Sequence, residues 1–194
     1  MSRLRAWLTV GAAVLLASVL VWLIHGEHQA RAEGTEVRLA LEGVDPRSLL
    51  SGPYVQLQIR QSVRGRTCEA IPQPAGYGRN RWVALRPSSG ETVIVGETVS
   101  REAALKLAPV AVRGDIGCWV SDRDQSTLSL DIGLDRFHAS QKEAKAIETA
   151  LRLSSTAEPT AFALVSVGSD GRARLLGLEV EGRRIMLDWF GASA

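Results

Sequence analysis

An uncharged apolar segment at residues 6–24 constrains this chain more than any other feature of its sequence. Nineteen residues, folded as an α-helix, are enough to cross a hydrocarbon core about 30 Å thick. Trp7 and Trp22 lie near the two ends of the segment, where indole rings favour the headgroup boundary. Arg3 and Arg5 precede it, so the positive-inside rule keeps the N-terminus in the cytoplasm and exports the chain beyond the segment.

Two interpretations of this segment remain open, a retained anchor and a cleaved signal peptide. Residues 30–32 read Ala-Arg-Ala, the small-x-small form that signal peptidase accepts. However, the apolar run is longer than an h-region of about 7 to 15 residues, and the tripeptide lies well beyond its end. We therefore favour an uncleaved anchor. The chain then divides into a cytoplasmic tail at 1–5, a bilayer-spanning anchor at 6–24, a polar tether at 25–35 and an exported domain at 36–194.

The exported part of the chain is electrically balanced. Without Arg3 and Arg5, the 23 basic residues fall to 21, which equals the number of acidic residues. A protein that binds nucleic acid needs a concentrated basic face to displace phosphate counterions. The balance argues against nucleic acid as a partner.

Short apolar runs with a two-residue period recur along the exported domain, and this alternation is typical of half-buried strands. The predicted strands are residues 36–42, 54–61, 81–86, 92–99, 109–120, 127–134, 161–167, 172–180 and 183–190. One amphipathic helix is predicted at 140–153 and a single turn of helix at 102–107. The predicted fold class is mainly β, an antiparallel sandwich or barrel-like domain with the helix packed on one side.

Residues 44–60 combine a turn and a strand. Asp45 can cap a short helix, Pro46 suits its first position, and Gly52 suits the left-handed residue after its end. A helix is therefore predicted at 46–51, followed at once by the strand that begins at Tyr54.

These residues carry a resemblance. The run V-D-P-R-S-L-L-S-G-P-Y-V-Q-L-Q-I resembles the signature of the GDYXXLXY family of membrane-associated bacterial proteins, with Gly52, Tyr54 and Leu57 matching. Pro53 replaces the family's aspartate, and Ile59 replaces its second tyrosine. Residues 132–137 and 170–178 are similar to two later segments of the family. The resemblance implies a domain of unknown function, commonly encoded beside polytopic membrane proteins. Together with the apolar segment and its flanking charges, it leads us to expect a bacterial inner-membrane protein with a periplasmic domain.

The candidate interaction residues are Gly52, Pro53, Tyr54, Leu57 and Arg136. In one interpretation, Gly52 and Tyr54 lie in a groove that receives a partner strand, or a loop of a membrane protein, by β-addition. In the other, the Tyr54 ring fills the core or the edge of the sheet. The sequence leaves both open.

Cys68 and Cys118 are the two cysteines of the chain, and both follow the apolar segment. In an oxidising periplasm, two exported cysteines most simply form one disulfide. The alternative is two separate thiols, one of them buried beside Trp119. We expect the disulfide.

No metal or cofactor site is predicted. His25, His28 and His138 are too few and too scattered for a zinc site. Residues 122–126 place oxygen atoms at alternate positions but lack the turn glycine and the distal glutamate of a calcium loop.

The best case for an enzyme is a serine nucleophile activated by Lys106, Lys142 or Lys145, but no serine occupies a recognisable nucleophile motif. We expect a non-catalytic accessory or interaction role, with a polytopic inner-membrane protein as the partner. Two alternatives remain. A module that binds a small ligand of the cell envelope predicts a sizeable apolar cavity, and an exported serine-lysine hydrolase predicts a pocket with a serine hydroxyl near a lysine amine.

Overall fold

The computed structural model describes residues 2–42, 54–64, 68, 71, 81–121, 125–134, 136–138, 147 and 159–187. It begins with one long helix, α1 (Ser2–Ala32), which is long and apolar enough to cross a membrane. The segment predicted as a tether is helical up to Ala32, and only Glu33 and Gly34 separate it from the first strand. Gln29 donates to Glu33 over 2.8 Å, a contact four residues apart that favours helix in this polar stretch.

Seven strands form a large antiparallel sheet: β1 (Thr35–Glu42), β3 (Gln58–Arg64), β7 (Asp115–Ser121), β8 (Gln125–Asp131), β10 (Ala161–Val167), β11 (Ala173–Val180) and β12 (Arg183–Met186). Their order across the sheet is β12-β11-β10-β1-β3-β8-β7. The predicted meander of the last three strands is confirmed.

Two smaller sheets and a short helix complete the described architecture. The strands β4 (Trp82–Arg86), β5 (Val93–Thr98) and β6 (Val110–Arg113) form a three-stranded sheet in the order β5-β4-β6. β4 and β5 pair as the predicted hairpin. The strands β2 (Tyr54–Gln56) and β9 (Arg136–His138) form a two-stranded ribbon. The predicted turn of helix at 102–107 is α2 (Arg101–Leu107), and its N-terminal cap is Ser100.

The large and the three-stranded sheets enclose one apolar core. Buried side chains of both belong to it, for example Leu39 and Val165 from the large sheet and Val83 and Val112 from the small one. The opposite face of the small sheet packs against α2 through four buried alanines: Ala84, Ala104, Ala108 and Ala111. The domain is therefore mainly β, built from stacked antiparallel sheets, as the alternating sequence pattern predicts.

Two predicted strands are each divided in the structure. The run at 54–61 breaks at Leu57 into β2 and β3, and the run at 109–120 breaks at Gly114 into β6 and β7. The two halves of each run belong to different sheets. Alternation alone could not reveal this, because it continues across both breaks. Of the helix predicted at 140–153, only Ile147 lies within the described residues, where it is helical and buried; the helix predicted at 46–51 lies outside them.

The large sheet narrows between β1 and β3. β1 pairs with β10 at six positions but with β3 only at Leu41 and Glu42. Where the two strands diverge, the start of β5 fills the opening. The Arg38 N–H donates to Thr92 Oγ1 over 3.0 Å, and the Thr92 N–H donates to the Arg38 carbonyl over 2.8 Å. We call the region around Arg38 and Thr92, between β1, β3 and the start of β5, the seam.

The seam also contains a buried amide. Gln61 Nε2 donates to Glu91 Oε1 over 2.8 Å and to the Thr92 carbonyl over 3.0 Å. Its Oε1 accepts from the Ile94 N–H over 2.9 Å. Because buried polar groups need partners, these bonds fix the position of β5 against the large sheet.

Candidate functional site

The ribbon of β2 and β9 brings together two segments that the sequence singled out. In its backbone register, Tyr54 lies opposite His138, Val55 opposite Phe137, and Gln56 opposite Arg136. Tyr54 and Arg136, two of the candidate interaction residues, are therefore on paired strands although they are far apart in the chain. Leu57 follows directly after β2 and is buried, as is Phe137 in β9. Gly52 and Pro53 lie outside the described residues.

The predicted disulfide is confirmed. Cys68 and Cys118 are bonded, with their Cα atoms 5.7 Å apart and 50 positions between them in the sequence. Cys118 lies on β7, the edge strand of the large sheet, and packs partly against the core. The bond ties the chain that follows β3 to this edge.

A second candidate site, which the sequence analysis did not anticipate, lies where α1 meets β11. The guanidinium of Arg174 donates from Nε to Glu27 Oε1 over 2.6 Å and from Nη2 to Glu27 Oε2 over 3.1 Å. It also donates to the two carboxylate oxygens of Asp170, over 3.2 and 3.0 Å. The Arg174 side chain is only 8% exposed. One nearly buried cation therefore holds two carboxylates, one from the helix and one from the β domain; we call these three residues the Arg174 cluster.

The charges within the Arg174 cluster reinforce one another. Hydrogen bonds to Asp170 and then to Glu27 raise the pKa of Arg174 above its ordinary value. The hydrogen bond from Arg174, assisted by the backbone N–H of Arg172, lowers the pKa of Asp170 to about 2. Asp170 and Arg174 are therefore both ionised at neutral pH.

The turn between β10 and β11, residues 168–172, lies alongside the end of α1. Arg31 Nη2 donates to the Leu175 carbonyl on β11. A cleft of about 310 Å³ separates the turn from the helix, and Gly26, Gln29 and Glu33 line its helical side. These three positions share one face of a helix, so the turn follows α1 over about two helical turns.

The sequence contains part of the signal for this contact. Glu27 and Arg31 are four residues apart, a spacing typical of the surface of a helix, and the alanines around Arg31 favour helix. These features indicate that α1 continues beyond the apolar segment. No local pattern, however, could pair Glu27 with a residue 147 positions further along the chain.

The residues proposed for the enzyme alternative are not brought together within the described part of the chain. Lys106 is exposed on α2, and the hydroxyl of the nearby Ser100 accepts the N–H of Ala103 over 3.2 Å as a helix cap. Lys142 and Lys145 lie outside the described residues.

The other candidate groups are also placed. His25 and His28 lie on α1 and His138 on β9, and among the described residues no three His, Cys, Asp or Glu side chains form a group suited to a metal ion. A second cleft, of about 240 Å³, is lined by charged side chains that include Arg81, Arg113 and Asp131. Its lining differs from the apolar cavity that the ligand-binding alternative predicts.

Comparisons with known proteins place the chain in a family. The profile of the family described as GDYXXLXY protein matches residues 16–178, a range that includes the end of α1, the ribbon and the Arg174 cluster. Comparison with curated proteins and with solved structures gave no significant match. Since the profile covers most of the chain, this protein belongs to the GDYXXLXY family.

Proposed function

We propose that the chain is a single-pass protein of the bacterial inner membrane whose β domain lies in the periplasm. There it serves as a non-catalytic accessory or interaction domain beside a polytopic membrane protein. The observation that carries this proposal is the contact between Arg174 and Glu27. A domain bound directly to its own membrane helix stays at the bilayer surface, within reach of neighbouring membrane proteins.

The same contact supports a retained anchor over a cleaved signal peptide. Cleavage after Ala32 would remove both Glu27 and Arg31 from the folded domain. Arg174 would then keep one carboxylate partner instead of two, and the Leu175 carbonyl would lose the hydrogen bond from Arg31. A nearly buried charge is stable only when it is well paired. The folded domain is therefore more stable with α1 attached.

The Cys68–Cys118 disulfide supports the proposed location of the domain in the periplasm. Disulfides persist in oxidising compartments such as the periplasm and are rare in the cytoplasm. The positions of Arg3 and Arg5, before the apolar part of α1, favour the same orientation.

The ribbon of β2 and β9 is the surface that we assign to the partner. It joins the two segments that carry Tyr54 and Arg136. It forms a sheet of its own beside the seven-stranded and the three-stranded sheets. A short antiparallel ribbon can accept a further strand from another protein through backbone hydrogen bonds. The buried Leu57 and Phe137 anchor the ribbon to the core and would hold it in place for such a partner.

The retained anchor is tested by the mass of the protein purified from membranes. We expect the intact chain, with residues 1–32 present. A mature protein that begins after Ala32 would overturn the anchored arrangement.

The interaction role is tested by photo-crosslinking in intact membranes. A crosslinking amino acid at Tyr54 or Arg136 should capture a polytopic membrane protein, whereas the same group at Arg183, an exposed position on β12, should not. Failure to capture a membrane protein from either ribbon position would contradict the proposed role.

A further inference from the structure

The turn at residues 168–172 lies at the level of the lipid headgroups if α1 spans the bilayer. The apolar segment ends at Ile24, and the turn lies beside Gly26, Gln29 and Glu33. With a rise of about 1.5 Å per residue, these helix positions are roughly 3 to 14 Å beyond the end of the segment. The polar headgroup layer begins at the edge of the hydrocarbon core and occupies the first part of this interval. The Arg174 cluster keeps the turn beside this part of the helix.

The surface next to this turn presents two arginines and an indole. Arg172 is in the turn itself, with a side chain that is 71% exposed. The Arg113 N–H donates to the Gly171 carbonyl over 2.8 Å, which fixes the end of β6 against the turn. The guanidinium of Arg113 lies 5.1 Å from the centre of the Trp82 ring. Arg113, Arg172 and Trp82 thus border the same turn, and we call them the turn patch.

Close packing holds Trp82 beside the turn. Gly171 has a φ of 74°, and a Cβ atom at this position would lie 2.1 Å from the Trp82 ring. Only glycine combines this backbone conformation with this approach of the ring. The indole is therefore held at the turn by the shape of the backbone.

The acids on the helix side of the turn already have partners, whereas Asp131 lines a cleft together with Arg113. Glu27 and Asp170 both accept hydrogen bonds from Arg174, and Glu33 accepts one from Gln29. Within the described part of the chain, Arg172 makes one contact with a carboxylate, and it is a long one, 3.9 Å from its Nε to Asp170 Oδ2. The exposed guanidinium of Arg172 therefore remains available for an anion.

We propose that the turn patch binds the phosphates of phospholipid headgroups and seats the β domain on the membrane surface. Arginine binds phosphate through paired N–H donors, and indole rings favour the headgroup boundary. This inference rests on the proposed anchor, because the height of the turn is measured from the end of the membrane segment.

The test uses the full-length protein in nanodiscs that contain phosphatidylcholine and phosphatidylglycerol and, apart from the scaffold protein, no other protein. A nitroxide spin label is attached to an introduced cysteine, Ser169→Cys in the turn or Arg183→Cys on β12; the two native cysteines are bonded to each other. Accessibility to lipid-soluble oxygen and to a water-soluble nickel chelate reports the depth of each label. We expect a several-fold higher oxygen-to-nickel ratio at position 169 than at 183.

A charge substitution separates lipid binding from mere proximity. In the background of Arg113→Gln with Arg172→Gln, the ratio at position 169 should fall towards that at 183, whereas Arg86→Gln, at an exposed arginine on β4, should leave it unchanged. Equal ratios at 169 and 183 in the unmodified background would overturn the proposal, as would a ratio unaffected by the double substitution.

A third label distinguishes this failure from a failure of the anchor. At Val14→Cys, within the apolar segment, the label should show the highest oxygen accessibility of the three. If it does and the label at 169 remains in water, the lipid-binding patch is wrong and the anchor stands. If the label at Val14 is itself in water, the anchor is wrong and the patch falls with it.

Discussion

The two halves of the large sheet are held by different kinds of interaction. The half that contains β10 and β11 is joined to α1 by ion pairs and hydrogen bonds, whereas the half that contains β7 and β8 is tied by a disulfide. Between them, β1 and β3 pair at only two positions, and the start of β5 fills the opening, where the Gln61 amide binds it. The charged contacts set where the domain sits on its helix, while the covalent bond and the buried amide hold the domain together.

This difference predicts a ranking of effects on stability. Ion pairs whose carboxylates are partly exposed contribute little, because water and salt screen them. A disulfide across a long loop and a buried, fully bonded amide contribute more. Loss of the Cys68–Cys118 disulfide, or of the Gln61 amide at the seam, should therefore destabilise the domain more than substitutions at the contact with α1.

The largest effect is expected for the disulfide. Replacing both Cys68 and Cys118 by alanine should lower the free energy of unfolding by about 4 kcal/mol, because an unfolded chain freed of a 50-residue loop gains entropy. Urea unfolding of the detergent-solubilised protein, followed by near-ultraviolet circular dichroism, measures the change. Unfolding of the wild type under reducing conditions is the matched control. A loss smaller than that caused by Gln61→Ala would contradict the ranking.

The seam should show the next largest effect. Gln61→Ala removes three hydrogen bonds and leaves the Ile94 N–H and the Thr92 carbonyl without this partner in a buried place. We expect a loss of about 2 to 3 kcal/mol by the same unfolding measurement. Gln58→Ala, at a less buried glutamine of the same strand, should change the stability by less than about 0.5 kcal/mol. Equal losses of unfolding free energy at the two positions would show that the hydrogen bonds of Gln61 do not stabilise the domain.

The smallest effect is expected at the helix contact, and it depends on pH. The pKa of Asp170 is lowered to about 2 in the folded protein, from an ordinary value of 3.8. Its stabilising contribution is therefore complete above about pH 4 and disappears as the pH falls through about 2. Since the side chain is 43% exposed, we expect only about 1 kcal/mol after solvent screening.

The comparison with Asp170→Asn measures this contribution. The difference in unfolding free energy between wild type and variant should be constant from about pH 5 to neutrality, because this range lies above the pKa of Asp170 in both the folded and the unfolded state. It should shrink on acidification. A difference that grows as the pH falls would contradict the pairing of an ionised Asp170 with Arg174.

Much of this fold could be predicted from local sequence patterns. Alternation identified most strands, and the apolar run identified the core of α1, because side-chain burial has a fixed period in each kind of element. The disulfide could be predicted from cysteine number and export alone. The ribbon residues Tyr54 and Arg136 were selected by resemblance, but their pairing depends on how the chain folds between them.

The breaks and the long-range charge pairs could not be predicted in this way. At Leu57 and Gly114 the chain moves from one sheet to another while its alternation continues unchanged. Arg174 reads as one more solvated arginine near a turn, and its two carboxylate partners are recognisable only when the tertiary structure brings Glu27 to it. Burial of a charged side chain is a property of the whole fold.

The short connection between α1 and β1 has a further consequence for how the protein could respond to its neighbours. Glu33 and Gly34 are the whole connection, so α1 and β1 can move little relative to each other. The connection is also closely packed, since a Cβ atom at Gly34 would lie 2.0 Å from Ser166 Oγ. Together with the Arg174 cluster, this connection makes the sheet turn when the helix turns about its own axis. If the proposed polytopic partner packs against one side of α1, it would therefore also set the direction in which the β domain faces.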